Sequence, residues 1–193
     1  TSQPPAGADL VATAVAQPRI VTGSVAGLRV LSMVGIEATG AAGHSLGELT
    51  ALHWAGAMDE PTLLATAAAR GRIMADASAG DGTMASISAA PEVVQPLLAG
   101  TAVVIAGYNS PQQTVVSGPV AAVEQVGARA ERQGLFWTRI AVSHAFHSEA
   151  VAPAAVAFGE HLAGQSFTPL ARSMVSTVTG EPLPADTDVV DLL

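Results

Sequence analysis

Across 193 residues the chain is 49% hydrophobic and 12% charged, with a formal net charge of −8, which excludes a disordered chain and supports one domain, or a domain with a small subdomain. All eight basic residues are arginine, so a Walker-type phosphate lysine, a Schiff-base lysine and a Ser-Lys dyad are excluded within the chain, and the acidic balance argues against nucleic acid as partner. There is no cysteine, which removes thiolate metal sites and a cysteine nucleophile and fits a cytoplasmic setting, and no apolar run approaches the length needed to cross a membrane.

Thr1 to Gly7 is rich in Pro, Gly, Ser and Thr and reads as loose. Asp9 to Val15 is short and apolar. Gln17-Pro18 fits a helix start, and Arg19 to Val34 reads as a helix. Its small-residue face, Ile20, Gly23, Ser24, Gly27, Leu28 and Leu31, is expected to lie against a sheet. A strand over Glu37 to Ala42 and a helix over Glu48 to Ala57 follow. Asp59-Glu60-Pro61 opens another helix, which runs to about Met74. Ser78 to Gly82 reads as a break.

The rhythm then changes. Thr83 to Ala89, Val103 to Ala106, Gln113 to Ser117 and Leu135 to Val142 read as strands. Pro91 to Leu98 and Pro119 to Gln133 read as helices, and Asn109-Ser110-Pro111 as a turn. The order βαββαβ is the ferredoxin-like arrangement. Glu149 to Leu162 reads as a helix, Thr168 to Thr177 as a strand-bearing segment, and the polar end carries no terminating signal. The expected fold is α/β, an α/β-hydrolase-like core with a parallel sheet and a ferredoxin-like βαββαβ subdomain. The expected division is residues 1–80 for the first core part, 81–142 for the subdomain and 143–193 for the return to the core.

Gly43-His44-Ser45-Leu46-Gly47 sits at the strand-to-helix corner and has the nucleophile-elbow pattern. Flanking side chains would collide at so sharp a bend, and the corner pushes Ser45 Oγ out of the chain path. The first N–H groups of the next helix then face the spot where negative charge would develop. The bland alternative is a glycine-rich turn whose serine only caps the helix. A serine hydroxyl needs a base to take its proton. Of the five histidines, His44 leaves the corner in another direction, His53 reads as structural and His161 as solvated. His144 and His147 lie at a strand-to-helix junction, where catalytic groups are commonly displayed. Their spacing could also serve a metal, but no cysteine and no third ligand accompany it.

Gly43-His44-Ser45-Leu46-Gly47-Glu48 resembles the active-site motif of malonyl-CoA:acyl-carrier-protein transacylases and of the acyltransferase domains of polyketide and fatty-acid synthases. Ala16-Gln17-Pro18, Arg70-Gly71-Arg72-Ile73-Met74, Asn109-Ser110-Pro111 with Val116-Ser117-Gly118, and His144-Ala145-Phe146-His147-Ser148 resemble further motifs of that family, in its order. Ala51-Leu52-His53-Trp54-Ala55-Gly56 is similar to iterative synthases of the enediyne type. The resemblance implies Ser45 as acyl-carrying nucleophile and His147 as general base, then as the acid that protonates the leaving thiol. It implies Arg70 as bidentate partner of the malonyl carboxylate and the Leu46 N–H as an oxyanion donor. Gln17 and Asn109 are the implied supporting polar groups, with His44 and His144 also on the substrate side. Phe146 would fill space that a branched extender needs.

No permanently bound cofactor and no metal are expected. Malonyl-CoA would be the donor, and the phosphopantetheine thiol of an acyl carrier protein the acceptor, with neighbouring synthase domains as further partners. Arg129, Arg132 and Arg139 are candidates for carrier contact by position alone. The family opens with a glutamine-bearing strand and turn and closes with further elements that this chain does not show. It is therefore expected to be an internal piece of a longer domain, completed by other residues or another chain. Two other readings are a serine hydrolase, which predicts Asp or Glu between serine and histidine, and an idle interaction domain.

Overall fold

The computed structural model describes residues 12–77, 81–142 and 144–193. The loose start, the first three residues of the Asp9–Val15 segment, most of the Ser78–Gly82 break and Ser143 lie outside the described residues. In chain order the elements are α1 (Thr13–Met33), β1 (Ala41–Gly43), α2 (Leu46–Ala55), α3 (Glu60–Ala77), β2 (Gly82–Ile87), α4 (Pro91–Val94), β3 (Val104–Ser110) and β4 (Gln113–Pro119). They continue with α5 (Val120–Arg132), β5 (Trp137–Ile140), α6 (Ala152–Ala163), β6 (Met174–Ser176) and α7 (Val189–Leu192). The described residues group into two compact units, 14–73 with 156–193, and 12–13 with 74–77, 81–142 and 144–155.

The first unit is built on a parallel pair, β1 and β6, in the register Ala41↔Met174, Ala42↔Val175 and Gly43↔Ser176. Its core is formed by Val21 and Val25 of α1, Leu49 and Leu52 of α2, Leu63 of α3, and Met174. Asp59 caps α3, its Oδ1 accepting from Thr62 N–H at 2.8 Å, as the acidic start signal predicts.

Four expectations change here. Helix α1 starts at Thr13, so Pro18 lies inside it and removes one main-chain donor there. Its small-residue face is not the packed one: Ile20 is 58% and Leu31 44% exposed, while Val21 and Val25 are buried. The bulkier β-branched stripe displaces more water, and it takes the core side. His161 is not solvated; its ring stacks on Phe158 with centroids 6.4 Å apart, and its Nε2 is buried. The polar end carries a short helix, α7, where Asp188 Oδ1 accepts from the amides of Val190 and Asp191.

The second unit contains a four-stranded antiparallel sheet in the order β3-β4-β2-β5. With α4 and α5 between the strands, this is the ferredoxin-like βαββαβ arrangement. Strand β3 runs through Asn109 and Ser110, so those residues are not the turn; the hairpin closes at Ser110↔Gln113. Ala85, Ile87 and Val116 from the sheet meet Val94, Val123 and Val126 from the helices in a separate core. A Cβ at Gly127 would enter the Trp137 indole, so α5 sits on the sheet at a distance only glycine allows. Arg129 donates to the carbonyls of Leu97 and Ala99, both at 2.7 Å. Arg139 donates to Thr83 Oγ1 at 3.0 Å and faces Glu124 at 3.7 Å. Among the three arginines singled out for carrier contact, these two therefore have structural work inside the unit.

Candidate active site

The elbow forms because a parallel strand must hand over to a helix within two residues. Gly43 ends β1, and a Cβ there would overlap the backbone of Gly47 and Glu48. Gly47 has open space around its Cβ position, so only the first glycine is demanded by collision, contrary to the symmetrical expectation. Ser45 absorbs the bend with φ 51° and ψ −108°. A non-glycine residue there is strained and persists only when its surroundings hold it.

Ser45-Leu46-Gly47-Glu48 also has the pattern of a capping box, in which the serine and glutamate side chains would tie the helix start. Neither does so. Ser45 makes no side-chain cap hydrogen bond to α2, which removes the bland reading of this residue as a mere cap. Its Oγ instead lies 3.4 Å from an Arg70 guanidinium nitrogen. Another nitrogen of Arg70 donates to Gln17 Oε1 at 2.9 Å, and Gln17 is buried in α1. Three residues singled out in the sequence, at positions 17, 45 and 70, thus meet within one unit. Burial of the guanidinium pulls the Arg70 pKa down from its ordinary value. That value starts so high that the group is charged at neutral pH. Among the described residues the ion pairs are Arg29–Glu60 and Arg139–Glu124, so Arg70 stands beside the serine without a carboxylate.

Glu48 is the residue that spacing and motif order left without a role. It is buried, and its Oε1 accepts from Thr177 N–H at 2.6 Å, Thr177 Oγ1 at 2.8 Å and Ser176 Oγ at 3.2 Å. Thr177 Oγ1 also lies 2.8 Å from the carbonyl oxygen of Gly43. The signal in the sequence was a lone acid in an apolar helix, whereas Thr177 is 129 residues away and carried none.

His44 is exposed and lies in this unit, as does Leu46, the first residue of α2. Asn109, His144, Phe146 and His147 belong to the other unit. There, Ala145 packs onto Gly82 so closely that a Cβ on the glycine would overlap it. Ser148 Oγ donates to Ala145 O at 2.7 Å, and the His144 and Phe146 rings lie 5.6 Å apart. His147 is exposed, with φ 57°. Among the described residues, Ser45 and His147 are the two non-glycine positions with positive φ. Asn109 is exposed near the end of β3. No cluster among the described residues could hold a metal ion.

A serine elbow on a parallel strand, together with a ferredoxin-like unit, defines an acyl-transfer fold of the α/β type. Residues 3–186 match the family profile described as acyl transferase domain, and the chain belongs to that family. It is 40% identical over 183 residues to polyketide synthase GfsA of Streptomyces halstedii, covering 94% of this chain and 2% of that protein. Among solved structures, it resembles the acyltransferase domain of the iterative polyketide synthase in enediyne biosynthesis, with 43% identity and a TM-score of 0.87. That match covers 94% of this chain and 49% of the other. The malonyl CoA-acyl carrier protein transacylase of Clostridium perfringens is 31% identical with a TM-score of 0.87, over 95% of this chain and 60% of that one. The chain therefore spans about half the length of the solved domains it matches, and a small fraction of the synthase.

Proposed function

We propose that this chain carries the catalytic part of an acyltransferase that moves a malonyl group from malonyl-CoA to the phosphopantetheine thiol of an acyl carrier protein. The observation that carries this reading is Arg70, a partly buried cation within reach of Ser45 Oγ and without a carboxylate partner among the described residues. An acyl group bearing its own carboxylate would supply one, and a planar guanidinium suits it bidentately. A simple ester hydrolase would leave that cation without purpose.

In the proposed cycle Ser45 Oγ attacks the thioester carbonyl while His147 takes its proton. The Leu46 N–H, at the start of α2, serves as an oxyanion donor. Collapse of the tetrahedral intermediate breaks the C–S bond, and His147 returns the proton to the departing coenzyme A thiol. The carrier thiol then repeats both steps in reverse, so one ester intermediate links two similar exchanges. The strained backbone at both Ser45 and His147 supports this pair, because such strain gathers at catalytic positions. Gln17 holds the Arg70 guanidinium, and Asn109, His44 and His144 are further substrate-side groups. Phe146 limits the space for a branched acyl chain. The likeness to polyketide synthases makes neighbouring synthase domains the proposed setting, and a cytoplasmic location goes with it.

Intact mass spectrometry of the full-length protein with malonyl-CoA, acetyl-CoA and methylmalonyl-CoA tests this reading. The expected result is a malonyl adduct, absent in Ser45→Ala, that disappears on adding carrier protein. An adduct that decays in water alone would favour a hydrolase, and no adduct with any donor would overturn the transferase.

A further inference from the structure

We infer that Glu48 and Thr177 are positioning residues: together they hold the elbow in the one conformation that leaves Ser45 Oγ unbonded to its own helix. This inference rests on Ser45 being the nucleophile. Ser45 and Glu48 carry the sequence of a capping box that the fold does not make. At N3 of α2, a glutamate would ordinarily reach back to the N–H of the N-cap residue, while the serine oxygen accepts from the amide at N3. Such a serine would have its oxygen tied to the helix start.

Here Glu48 is turned the other way. Its Oε1 is taken by Thr177 N–H, Thr177 Oγ1 and Ser176 Oγ, at the end of β6. Its Oε2 is buried with no hydrogen-bond partner among the described residues. A buried carboxylate oxygen without a donor is costly, and it is retained only if the other contacts are worth keeping. Thr177 also contacts the carbonyl of Gly43, two residues before the serine, while Glu48 lies three residues after it. The Thr177 N–H holds Glu48 Oε1, while its single hydroxyl proton is shared between that oxygen and the Gly43 carbonyl, so the chain on both sides of Ser45 is tied to the same threonine. That double anchorage is what a residue at φ 51° needs to stay strained. If the anchor is cut, the expected relaxation is toward the ordinary capping box. Ser45 Oγ would then accept from the helix amides instead of facing the acyl donor.

The variants are Thr177→Val, which keeps shape and removes the hydroxyl, Thr177→Ser, which restores it, and Glu48→Ala beside Glu48→Gln. The primary readout is the second-order rate of Ser45 labelling by a small fluorophosphonate, which does not use Arg70 for recognition. In the full-length protein, T177V is expected to label about tenfold more slowly, since displacement of a reacting atom by around an ångström costs up to about a hundredfold. T177S is expected to recover to within about twofold, and the KM for malonyl-CoA in T177V to stay within about twofold while kcat falls. Glu48→Gln, which keeps an acceptor for the Thr177 amide, should retain more reactivity than Glu48→Ala. Should Glu48→Ala fail to fold, the threonine pair alone decides. A folded T177V that labels at the unmodified rate, or one that raises KM with kcat unchanged, would overturn the inference. Equal labelling of the unmodified protein and Ser45→Ala would instead remove Ser45 as nucleophile, a separately recognisable failure.

Discussion

A guanidinium taken partly out of water without a carboxylate is an unfavourable arrangement, and Arg70 is held in it by a neutral partner, Gln17. Gln17 fixes direction without cancelling charge, so the full cation remains available to an incoming carboxylate. Two donors differing only in that carboxylate should therefore respond very differently to loss of Arg70. Arg70→Ala is expected to lower kcat/KM for malonyl-CoA by about 30-fold or more, the usual consequence of losing a buried charge-assisted pair. For acetyl-CoA the loss should be much smaller, and Arg70→Lys should not restore malonyl transfer, because a point charge cannot form the two parallel bonds. Steady-state transfer assays with both donors decide it; equal losses would remove Arg70 from carboxylate recognition. The same scale explains Gly43, where any side chain meets the backbone of the next turn.

At the scale of elements, the first turn of α3 gives a prediction with a pH dependence. The Thr62 side chain and amide hold the Asp59 carboxylate below its usual range. A folded-state pKa lowered in this way stabilises the protein above the unfolded value and loses that contribution as pH falls through the folded one. Asp59→Ala should therefore lower the urea midpoint at pH 7, and the gap to the unmodified protein should narrow as pH falls below about 4. A constant gap across that range would mean the cap is not electrostatic. A steric counterpart lies on α5: Gly127→Ala is expected to destabilise by about 1–3 kcal/mol, as overpacking does, because the added carbon meets the Trp137 indole. A melting curve unchanged from the parent would contradict that packing.

The same elements show what the sequence could and could not convey. The elbow was legible because glycine, serine and helix start lie within a few residues of one another. The ferredoxin-like unit was legible because alternating strands and amphipathic helices are local patterns. The packed face of α1 was not, since both its faces are apolar or small and only the tertiary partner chooses between them. The burial of His161 was not legible because a histidine beside Glu160 late in a helix gives no local sign of the Phe158 ring it stacks on. For the site, motif order brought Gln17 and Arg70 forward, but their bond spans 53 residues and no spacing rule contains it. Thr177 is more distant still from the elbow it supports, and only the β1–β6 register places it there.

Over the whole molecule, the proposed machinery divides by unit as it divides by role. Nucleophile, donor recognition and oxyanion donor, Ser45, Arg70 with Gln17, and Leu46, lie in the unit built on the parallel strands. Proton transfer and acyl-size selection, His147 and Phe146, lie in the unit that carries the ferredoxin-like sheet. Separate cores support the two sets, one around Leu49, Leu52 and Met174, the other around Ile87, Val116 and Val126. Such a division makes the kinetic signatures separable. A base acts on every acyl donor, whereas a carboxylate partner acts on one class. His147→Ala is therefore expected to slow acylation of Ser45 by malonyl-CoA and acetyl-CoA alike, by about a hundredfold or more, the usual weight of a general base. His144→Ala should be milder with both donors. Rapid-quench measurement of acyl-enzyme formation checks this directly. A His147→Ala loss confined to malonyl-CoA would make that histidine a recognition group, and a larger loss in His144→Ala would transfer the role of base to His144.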